Sequence, residues 1–405
     1  MPRKREGKVL VIGAGLGGLS AAISLATDGF DVEVFEKNDR IGGKLNLLQK
    51  GGYSFDLGPS LFILPHIYRR LFERAGRRLE DYCEFVRLEP QWRSFFEDGV
   101  TIDLHGDTAA MEAELSRLGA DPGAWWSYVD YSRRLFKFAE ESYLEPGSDS
   151  IADVLRGRTP GEVLRGTDLL RTMQDGVDEY LREPHLRDMA AFFIKYVGSS
   201  SFAAPATMNL LPYSQLGWGL WYVRGGMYGY ARACGRLMDE LGVKVRLGAE
   251  VARIERSGRR VTGVTLADGV TVGGDFVVSN MEVVPAYERL LGEKGLFLKK
   301  YKYLYEPACS GLVLDFGLDC VYPQLAHHNF FFSSCPRRHF EQVHRLHELP
   351  DDPTLYVVCA TATDPSVAPP GGSVVKVLPH IPYVQDPPFS ENAYVALRER
   401  VIAKL

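Results

Sequence analysis

The stretch that decides the fold is Lys8-Val-Leu-Val-Ile-Gly-Ala-Gly-Leu-Gly-Gly-Leu19, close to the start of the sequence. Residues 9–12 form an apolar run of mostly branched side chains, which is typical of a strand buried on both faces of a parallel sheet. The alanine-rich residues 19–27 predict a helix, and the alternating Val32-Glu-Val-Phe35 predicts a second strand. This order of elements predicts a parallel βαβ unit.

The glycines of this stretch have a spacing with a physical meaning. Gly13, Gly15 and Gly18 form G-x-G-x-x-G, which serves a tight turn, a close approach of a pyrophosphate, and the packing of helix on strand. Glu36 ends the second strand, where an acid accepts hydrogen bonds from ribose hydroxyls and disfavours a 2′-phosphate. A ligand-free glycine turn is the alternative, but the whole pattern favours a dinucleotide site.

Composition excludes several other classes of protein. The chain has 405 residues, enough for two domains, and its net charge of -5 leaves no broad basic field for nucleic acid. Its six cysteines form no C-x-x-C pair and no zinc spacing, which predicts free thiols in a reducing cytosol and no metal site. Residues 8–26 imitate a secretory signal, but glycines interrupt the run at the motif spacing.

The rest of the chain alternates between helical and strand-like patterns. Helices are predicted at residues 66–80, 108–118, 125–144, 184–197, 227–241 and 391–405. Strands are predicted at residues 243–247, 251–256, 261–266, 270–272, 276–279, 310–316, 329–332, 355–361 and 374–378. The Gly-, Pro- and Ser-rich residues 198–219 have the composition of a crossing between domains.

These patterns predict two interleaved domains. Residues 1–75 and 220–300 form a doubly wound, Rossmann-like α/β domain that binds the dinucleotide. Residues 76–219 and 301–405 form an α+β domain for the substrate and a membrane surface.

The residues after the second strand carry a family resemblance. Glu36-Lys-Asn-Asp-Arg-Ile-Gly-Gly-Lys44 resembles the extended fingerprint of the FAD-linked amine oxidase and carotenoid desaturase superfamily, in which a second glycine pair passes the pyrophosphate. Lys44 stands where arginine is commoner and keeps the charge without the planar fork. Asp56-Leu-Gly-Pro-Ser60 resembles the loop that approaches the flavin. The resemblance therefore implies FAD, bound by Gly13, Gly15, Gly17, Gly18, Glu36, Lys37, Gly42, Gly43, Lys44, Gly58, Pro59, Ser60, Val251 and Asn280.

Farther along, the chain resembles the bacterial carotenoid (phytoene-type) desaturases. The motifs are Phe55-Asp-Leu-Gly-Pro-Ser-Leu-Phe62, Tyr222-Val-Arg-Gly-Gly-Met-Tyr-Gly229, Val277-Val-Ser-Asn280, Tyr322-Pro-Gln-Leu-Ala-His-His-Asn329 and Asp364-Pro-Ser-Val-Ala-Pro369. The resemblance implies an FAD-dependent enzyme of carotenoid biosynthesis that introduces conjugated double bonds into a linear polyene. The motif that ends at Gly229 is similar to the branch acting on C30 diapophytoene, while other relatives act on C40 phytoene or oxygenate terminal methyl groups.

The resemblance also suggests residues that assist the flavin. Asp130-Tyr-Ser-Arg133 matches a family segment whose acid and arginine are proposed to act near it, and residues three apart share a helix face. Asp130 is thus a candidate proton acceptor or cation stabiliser, and Arg133 its partner. The alternative is an exposed ion pair, for which Arg134 and Lys137 compete. For His327 and His328 a structural role is favoured.

A water-insoluble polyene substrate implies peripheral association with the inner face of the cell membrane. Residues 61–65 and 210–230 are rich in Leu, Trp and Tyr and poor in charge, so they are candidate membrane contacts. The alternative is that these aromatic residues line the channel or the core. The electron acceptor is not indicated by the sequence.

The end of the chain departs from the family pattern. Relatives usually continue beyond the position of Leu405 with a Gly/Pro-rich segment near the flavin ring and a helix directed at the flavin. We therefore expect this chain to hold FAD weakly or not at all.

Three other functions are alternatives for this chain. An amine or protoporphyrinogen oxidase is disfavoured by the motifs around Gly225-Gly226 and His327-His328. A non-catalytic isoprenoid-binding protein on the same scaffold is disfavoured by the intact glycines and Glu36. An NAD-linked dehydrogenase has no use for Gly42-Gly43.

Overall fold

The computed structural model describes residues 5–145, 147, 150–155 and 157–405. The chain divides into a first unit, Met1–Val86 with Trp221–Glu306, and a second unit, Arg87–Leu220 with Pro307–Leu405. The first boundary lies after residue 86 rather than the predicted 75. Two features hold the intervening residues in the first unit: the rings of Phe72 and Tyr82 lie 5.1 Å apart, and the strand Phe85–Arg87 pairs with Trp221–Val223.

A parallel sheet forms the centre of the first unit, as predicted. Its strands lie in the order Phe276–Ser279, Lys8–Ile12, Asp31–Phe35 and Lys244–Arg246. Val9, Leu10 and Val11 are buried because both faces of the sheet are covered. This arrangement confirms the doubly wound, Rossmann-like α/β fold.

The other elements of the first unit surround this sheet. Its helices are Leu16–Thr27, Pro65–Arg74, Leu79–Asp81, Tyr228–Glu240, Val283–Pro285, Ala286–Leu290 and Leu296–Leu304. A three-stranded antiparallel sheet contains Val251–Ser257, Arg260–Leu266 and Thr271–Gly273, and a hairpin joins Leu47–Lys50 to Tyr53–Asp56. In that hairpin, Asp56 accepts a hydrogen bond from the N–H of Met227 at 2.9 Å, so two of the family motifs meet at the start of Tyr228–Glu240.

Aromatic residues that the sequence offered as membrane contacts lie in the core of the first unit. Phe62, Tyr222 and Tyr230 are buried. The centroid of the Phe62 ring lies 4.5 Å from that of Tyr68 and 5.4 Å from that of Tyr230. The core interpretation therefore applies to these three side chains.

The second unit contains a mixed sheet and most of the helices. The sheet order is Ser310–Gly311, Ser373–Ile381, Leu355–Cys359, His328–Phe331, Trp92–Phe95 and Thr101–Leu104, and Leu314–Leu318 pairs with Ser373–Ile381. The helices are Thr108–Arg117, Pro122–Ala139, Glu140–Leu144, Ile151–Leu155, Pro160–Thr167, Met173–Tyr180, Pro184–Ala191, Phe192–Tyr196, Ala206–Asn209, Leu210–Leu216, Pro336–Glu341, Gln342–Leu346, Ala360–Ala362, Pro365–Val367 and Glu391–Lys404.

Residues 198–219 correct the prediction of a crossing between domains. They lie within the second unit and contain the helices Ala206–Asn209 and Leu210–Leu216. Asn209 is buried, and its amide donates to the carbonyls of Met173 and Ala206, so the stretch belongs to the core. Within the described ranges, no helix combines the length and apolar character needed to cross a bilayer.

Candidate functional site

The glycine turn joins the first strand to the first helix of the first unit. Gly13 has a φ of 89°, which favours glycine, and its N–H donates to the Phe35 carbonyl at 2.8 Å. Gly15 caps the helix Leu16–Thr27 with an ordinary extended backbone, φ -71° and ψ 174°. The first N–H groups of that helix have no partner within it, so they can receive an anion.

Glu36 lies at the end of the neighbouring strand and is only 4% exposed. One carboxylate oxygen accepts a hydrogen bond from the Ala14 N–H at 2.8 Å. The other accepts from the N–H and the side-chain amide of Asn38 at 2.9 and 2.7 Å. These bonds fix the carboxylate beside the glycine turn, where an acid can accept from a ribose hydroxyl.

The second glycine pair lies against the first. Gly42 and Gly15 form a parallel bridge, and the Gly42 N–H donates to the Ala14 carbonyl at 2.7 Å. A Cβ on Gly43 would lie 2.9 Å from the Gly15 Cα, a distance that packed atoms do not tolerate. Gly58 packs closely against the backbone of this loop. A Cβ on Gly58 would overlap the Lys44 carbonyl oxygen.

Asn280 follows the edge strand Phe276–Ser279, which lies beside Lys8–Ile12, and it contacts the glycine turn. Its N–H donates to the Ile12 carbonyl at 2.8 Å. Its side-chain amide lies 2.8 Å from the point that a Cβ on Gly15 would occupy. The predicted contribution of Asn280 to the site thus follows from the parallel pairing of Phe276–Ser279 with Lys8–Ile12.

These elements enclose a cavity of about 660 Å³ within the first unit. Its lining includes the predicted residues Gly13, Gly15, Gly17, Glu36, Lys37, Gly42, Gly43, Lys44, Pro59, Val251 and Asn280. Gly18, Gly58 and Ser60 are not among the lining residues, and their contribution to cofactor binding stays a prediction. Gly18 and Gly58 are needed for backbone packing, and Ser60 is buried.

The sequence missed several residues of the cavity, including Asn38, Ala249, Glu250, Glu282 and Arg289. Arg289 and Lys37 are exposed cations that line the cavity. Lys44 is a third cation of the lining, and its Nζ lies 3.6 Å from the Glu282 Oε1. Since a pyrophosphate is anionic, these cations favour its binding. The glycine cradle, the fixed acid and the cations fit the adenine-ribose and pyrophosphate portions of a dinucleotide.

Asp130 and Arg133 lie elsewhere, on the helix Pro122–Ala139 of the second unit. The side chains of Asp130 and Arg133 are 44% and 50% exposed. The Arg133 Nη2 lies 2.6 Å from the Asp130 Oδ1, and the Arg134 Nη1 lies 2.9 Å from the Asp130 Oδ2. The Arg133 guanidinium holds the pKa of the Asp130 carboxyl below its usual range, which makes the carboxylate a weak proton acceptor. The geometry is that of the exposed ion pair, and the catalytic role stays a prediction.

His327 and His328 are buried in the second unit. The His327 Nδ1 lies 2.8 Å from the Thr363 hydroxyl, and the His328 Nδ1 lies 2.9 Å from the Tyr356 hydroxyl. Burial lowers the pKa of His327 to about 3 and also lowers that of His328. Both rings are therefore neutral at physiological pH.

Fold and cavity define the class, a protein with a Rossmann-like dinucleotide site. Residues 16–314 match the family described as flavin containing amine oxidoreductase. The chain belongs to this family, and it is an FAD-dependent enzyme.

Two curated relatives are similar over almost the whole chain. A 4,4'-diapolycopene oxygenase from Methylomonas sp is 50% identical over 402 residues, which cover 98% of this chain and 80% of the relative. A 4,4'-diaponeurosporene oxygenase from Staphylococcus aureus (strain USA300) is 44% identical over 400 residues, with the same coverage. Among solved structures, an oxidoreductase from Methanosarcina mazei superposes with a TM-score of 0.61 at 18% identity, covering 98% of this chain and 82% of that one. The last likeness concerns the fold alone.

Proposed function

We propose that this chain is an FAD-dependent oxygenase of linear C30 carotenoids, acting on a terminal methyl group. The observation that carries the proposal is the 50% identity over 402 residues to a 4,4'-diapolycopene oxygenase. The prefix 4,4'-diapo denotes a C30 chain, which agrees with the similarity of Arg224-Gly-Gly-Met-Tyr-Gly229 to the C30 branch. The proposal shifts the expected product from a new double bond to a new carbon–oxygen bond.

In this proposal the residues of the first unit bind and orient the cofactor. Gly15 and Gly43 would bring the backbone close to the pyrophosphate, and Glu36 would accept from a ribose hydroxyl. Lys37 and Arg289 would balance the phosphate charge. FAD would supply the redox chemistry, and these residues would orient it.

Desaturation of diapophytoene or phytoene is the second candidate. It is favoured by the motifs Phe55-Asp-Leu-Gly-Pro-Ser-Leu-Phe62 and Tyr322-Pro-Gln-Leu-Ala-His-His-Asn329, which resemble those of phytoene-type desaturases. Both reactions remove hydrogen from a carbon of an apolar chain. They differ in whether the product gains oxygen or only loses hydrogen.

A single assay separates the two. The protein is supplied with FAD and with liposomes that contain 4,4'-diapolycopene, diapophytoene or phytoene, and the products are analysed by mass and by visible absorption. We expect an oxygen-containing product from the C30 polyene and little change in phytoene. Longer conjugation without added oxygen would support the desaturase instead, and unchanged substrates with FAD-loaded protein would contradict both.

We also propose that the enzyme meets its substrate at an anionic membrane surface, the inner face of the cell membrane, through the helix Leu296–Leu304. Leu296 and Tyr303 are 84% and 89% exposed, whereas Leu298 is buried and holds the helix on the first unit. Residues 294–305 contain four lysines and no acid, in a chain with a net charge of -5. Apolar and tyrosine side chains beside lysines are typical of helices that lie in a membrane interface.

Charge reversal of this helix is expected to weaken binding to anionic vesicles. Each lysine near such a surface contributes about 1 kcal/mol, so Lys299→Glu with Lys300→Glu predicts a loss of at least about tenfold. Co-sedimentation with phosphatidylglycerol and phosphatidylcholine vesicles measures it. Lys50→Glu with Lys244→Glu, at exposed strand positions of the same unit, is the matched control. Equal binding to both lipids, or equal loss in the control, would contradict the assignment.

A further inference from the structure

One face of the sheet in the second unit carries buried polar side chains. His328 and Phe330 alternate with Asn329 and Phe331, and Tyr356 pairs with Phe330 across the neighbouring strand. The opposite face carries Asn329 together with Leu355, Val357 and Val377, apolar residues that pack in one cluster with Leu397 and Val401 of the helix Glu391–Lys404. The face that carries His328 therefore differs by combining polar groups with aromatic rings.

Lys195 lies over the face that carries His328. It belongs to the short helix Phe192–Tyr196, and its Nζ is shielded from solvent without a hydrogen-bond partner in the described part of the chain. Four rings surround this nitrogen: the distances from Nζ to the ring centroids are 4.0 Å for Trp92, 4.2 Å for Tyr196, and 4.9 Å for both Phe193 and Phe330. The amine is thus enclosed by an aromatic cage.

Other buried polar atoms of this face also lack a hydrogen-bond partner among the described residues. The Trp92 Nε1 and the His328 Nε2 are buried and have no hydrogen-bond partner. The Tyr356 ring stacks on the Phe330 ring with 5.1 Å between their centroids, and its hydroxyl lies 2.9 Å from the His328 Nδ1, so His328 adjoins the cage. Burial lowers the pKa of Lys195. Two buried N–H donors, the Lys195 amine and the Trp92 indole, thus have no hydrogen-bond partner among the described residues, a costly arrangement unless an acceptor joins them.

Under the proposed function, the enzyme binds linear polyene chains that become oxygenated at one end. Ring faces suit a flat polyene because they offer apolar contact without demanding hydrogen bonds. The same rings would not hold a free anion in water. A neutral oxygen acceptor on an apolar chain satisfies both the rings and the donors.

We propose that the Lys195 amine, within the cage of Trp92, Tyr196, Phe193 and Phe330, donates a hydrogen bond to the terminal carbonyl oxygen of an oxygenated linear carotenoid. Lys195 would then distinguish the aldehyde from the hydrocarbon that precedes it. The inference rests on the proposed function for the class of ligand, and on the second unit alone for the site.

The test compares binding of a linear C30 polyene aldehyde with binding of the corresponding hydrocarbon. Affinities are measured with the FAD-loaded protein by quenching of tryptophan fluorescence, since Trp92 forms part of the cage. The parent chain is expected to bind the aldehyde at least tenfold more tightly. Lys195→Met, which keeps the length of the side chain but not the donor, is expected to bind both ligands equally.

Two controls keep the result interpretable. Lys299→Met, an exposed lysine of the first unit, should leave the preference unchanged. Lys195→Met should melt no lower than the parent chain, because methionine suits an apolar cage better than an unpartnered amine. A preference that survives in Lys195→Met, or no preference in the parent chain, would overturn the inference.

The outcome is separable from that of the proposed function. Oxygenation of 4,4'-diapolycopene by a parent chain that shows no Lys195-dependent preference would refute the inference and keep the function. A Lys195-dependent preference in a protein that forms no oxygenated product would do the reverse.

Discussion

Replacing Gly15 with alanine is expected to weaken FAD binding by about a hundredfold while the apo-protein stays as stable as the parent chain. Two hydrogen bonds from backbone N–H groups to a charged phosphate contribute about 3 kcal/mol together, which corresponds to about a hundredfold in affinity. A methyl group on Gly15 would stand where the pyrophosphate approaches the helix. Titration of the apo-protein with FAD, followed by flavin fluorescence, measures the loss.

The apo-protein should tolerate this change for two reasons. The backbone at Gly15, φ -71° and ψ 174°, suits any residue. The added Cβ would meet the Asn280 side-chain amide at 2.8 Å, and that amide can rotate away. The steric cost therefore appears only when the cofactor occupies the cradle.

Gly295 provides a matched control for Gly15. It also caps a helix with an extended backbone, φ -76° and ψ 179°, and a Cβ there would have no atom within 4 Å. Gly295→Ala should leave FAD affinity unchanged. If Gly15→Ala binds FAD as tightly as Gly295→Ala does, the cavity is not the pyrophosphate site.

The nucleotide site could be predicted because its signals are local in sequence. A strand, a glycine turn, a helix and an acid follow one another within residues 8–36, and each has a single structural meaning in that order. Arg289 and Asn38 have no such pattern. Arg289 reaches the cavity only because Phe276–Ser279 pairs with Lys8–Ile12, a long-range event that spacing does not encode.

Aromatic composition was ambiguous for a different reason. Phe62, Tyr222 and Tyr230 have the chemistry of interface residues and of core residues alike, and only their neighbours in the fold distinguish the two. Conversely, Leu296 and Tyr303 lie in a short helix that the sequence patterns did not predict, although the four lysines of residues 294–305 are a readable signal. The Lys195 cage needs two separate strands and a helix to assemble, so no window of sequence contains it.

Gly18→Ala is expected to destabilise the first unit by about 3 kcal/mol in the absence of any cofactor. Alanine favours a helix interior over glycine by about 1 kcal/mol, so propensity alone predicts the opposite sign. The steric clash outweighs the helix propensity because a Cβ on Gly18 would overlap the Gly13 carbonyl oxygen. That carbonyl cannot retreat easily, since Gly13 is held at a φ of 89° and its N–H is bonded to Phe35.

Urea unfolding of the apo-protein, followed by circular dichroism, measures this loss, with Gly17→Ala as the comparison. The Cβ on Gly17 would meet the Asn280 side-chain oxygen, a group that can rotate, so its effect on the midpoint should be small. A Gly18→Ala midpoint equal to that of the parent chain would show that helix and strand can separate without cost. The glycines of this turn would then not have the separate roles that the geometry assigns: a cofactor contact at Gly15, a side-chain contact at Gly17 and a backbone contact at Gly18.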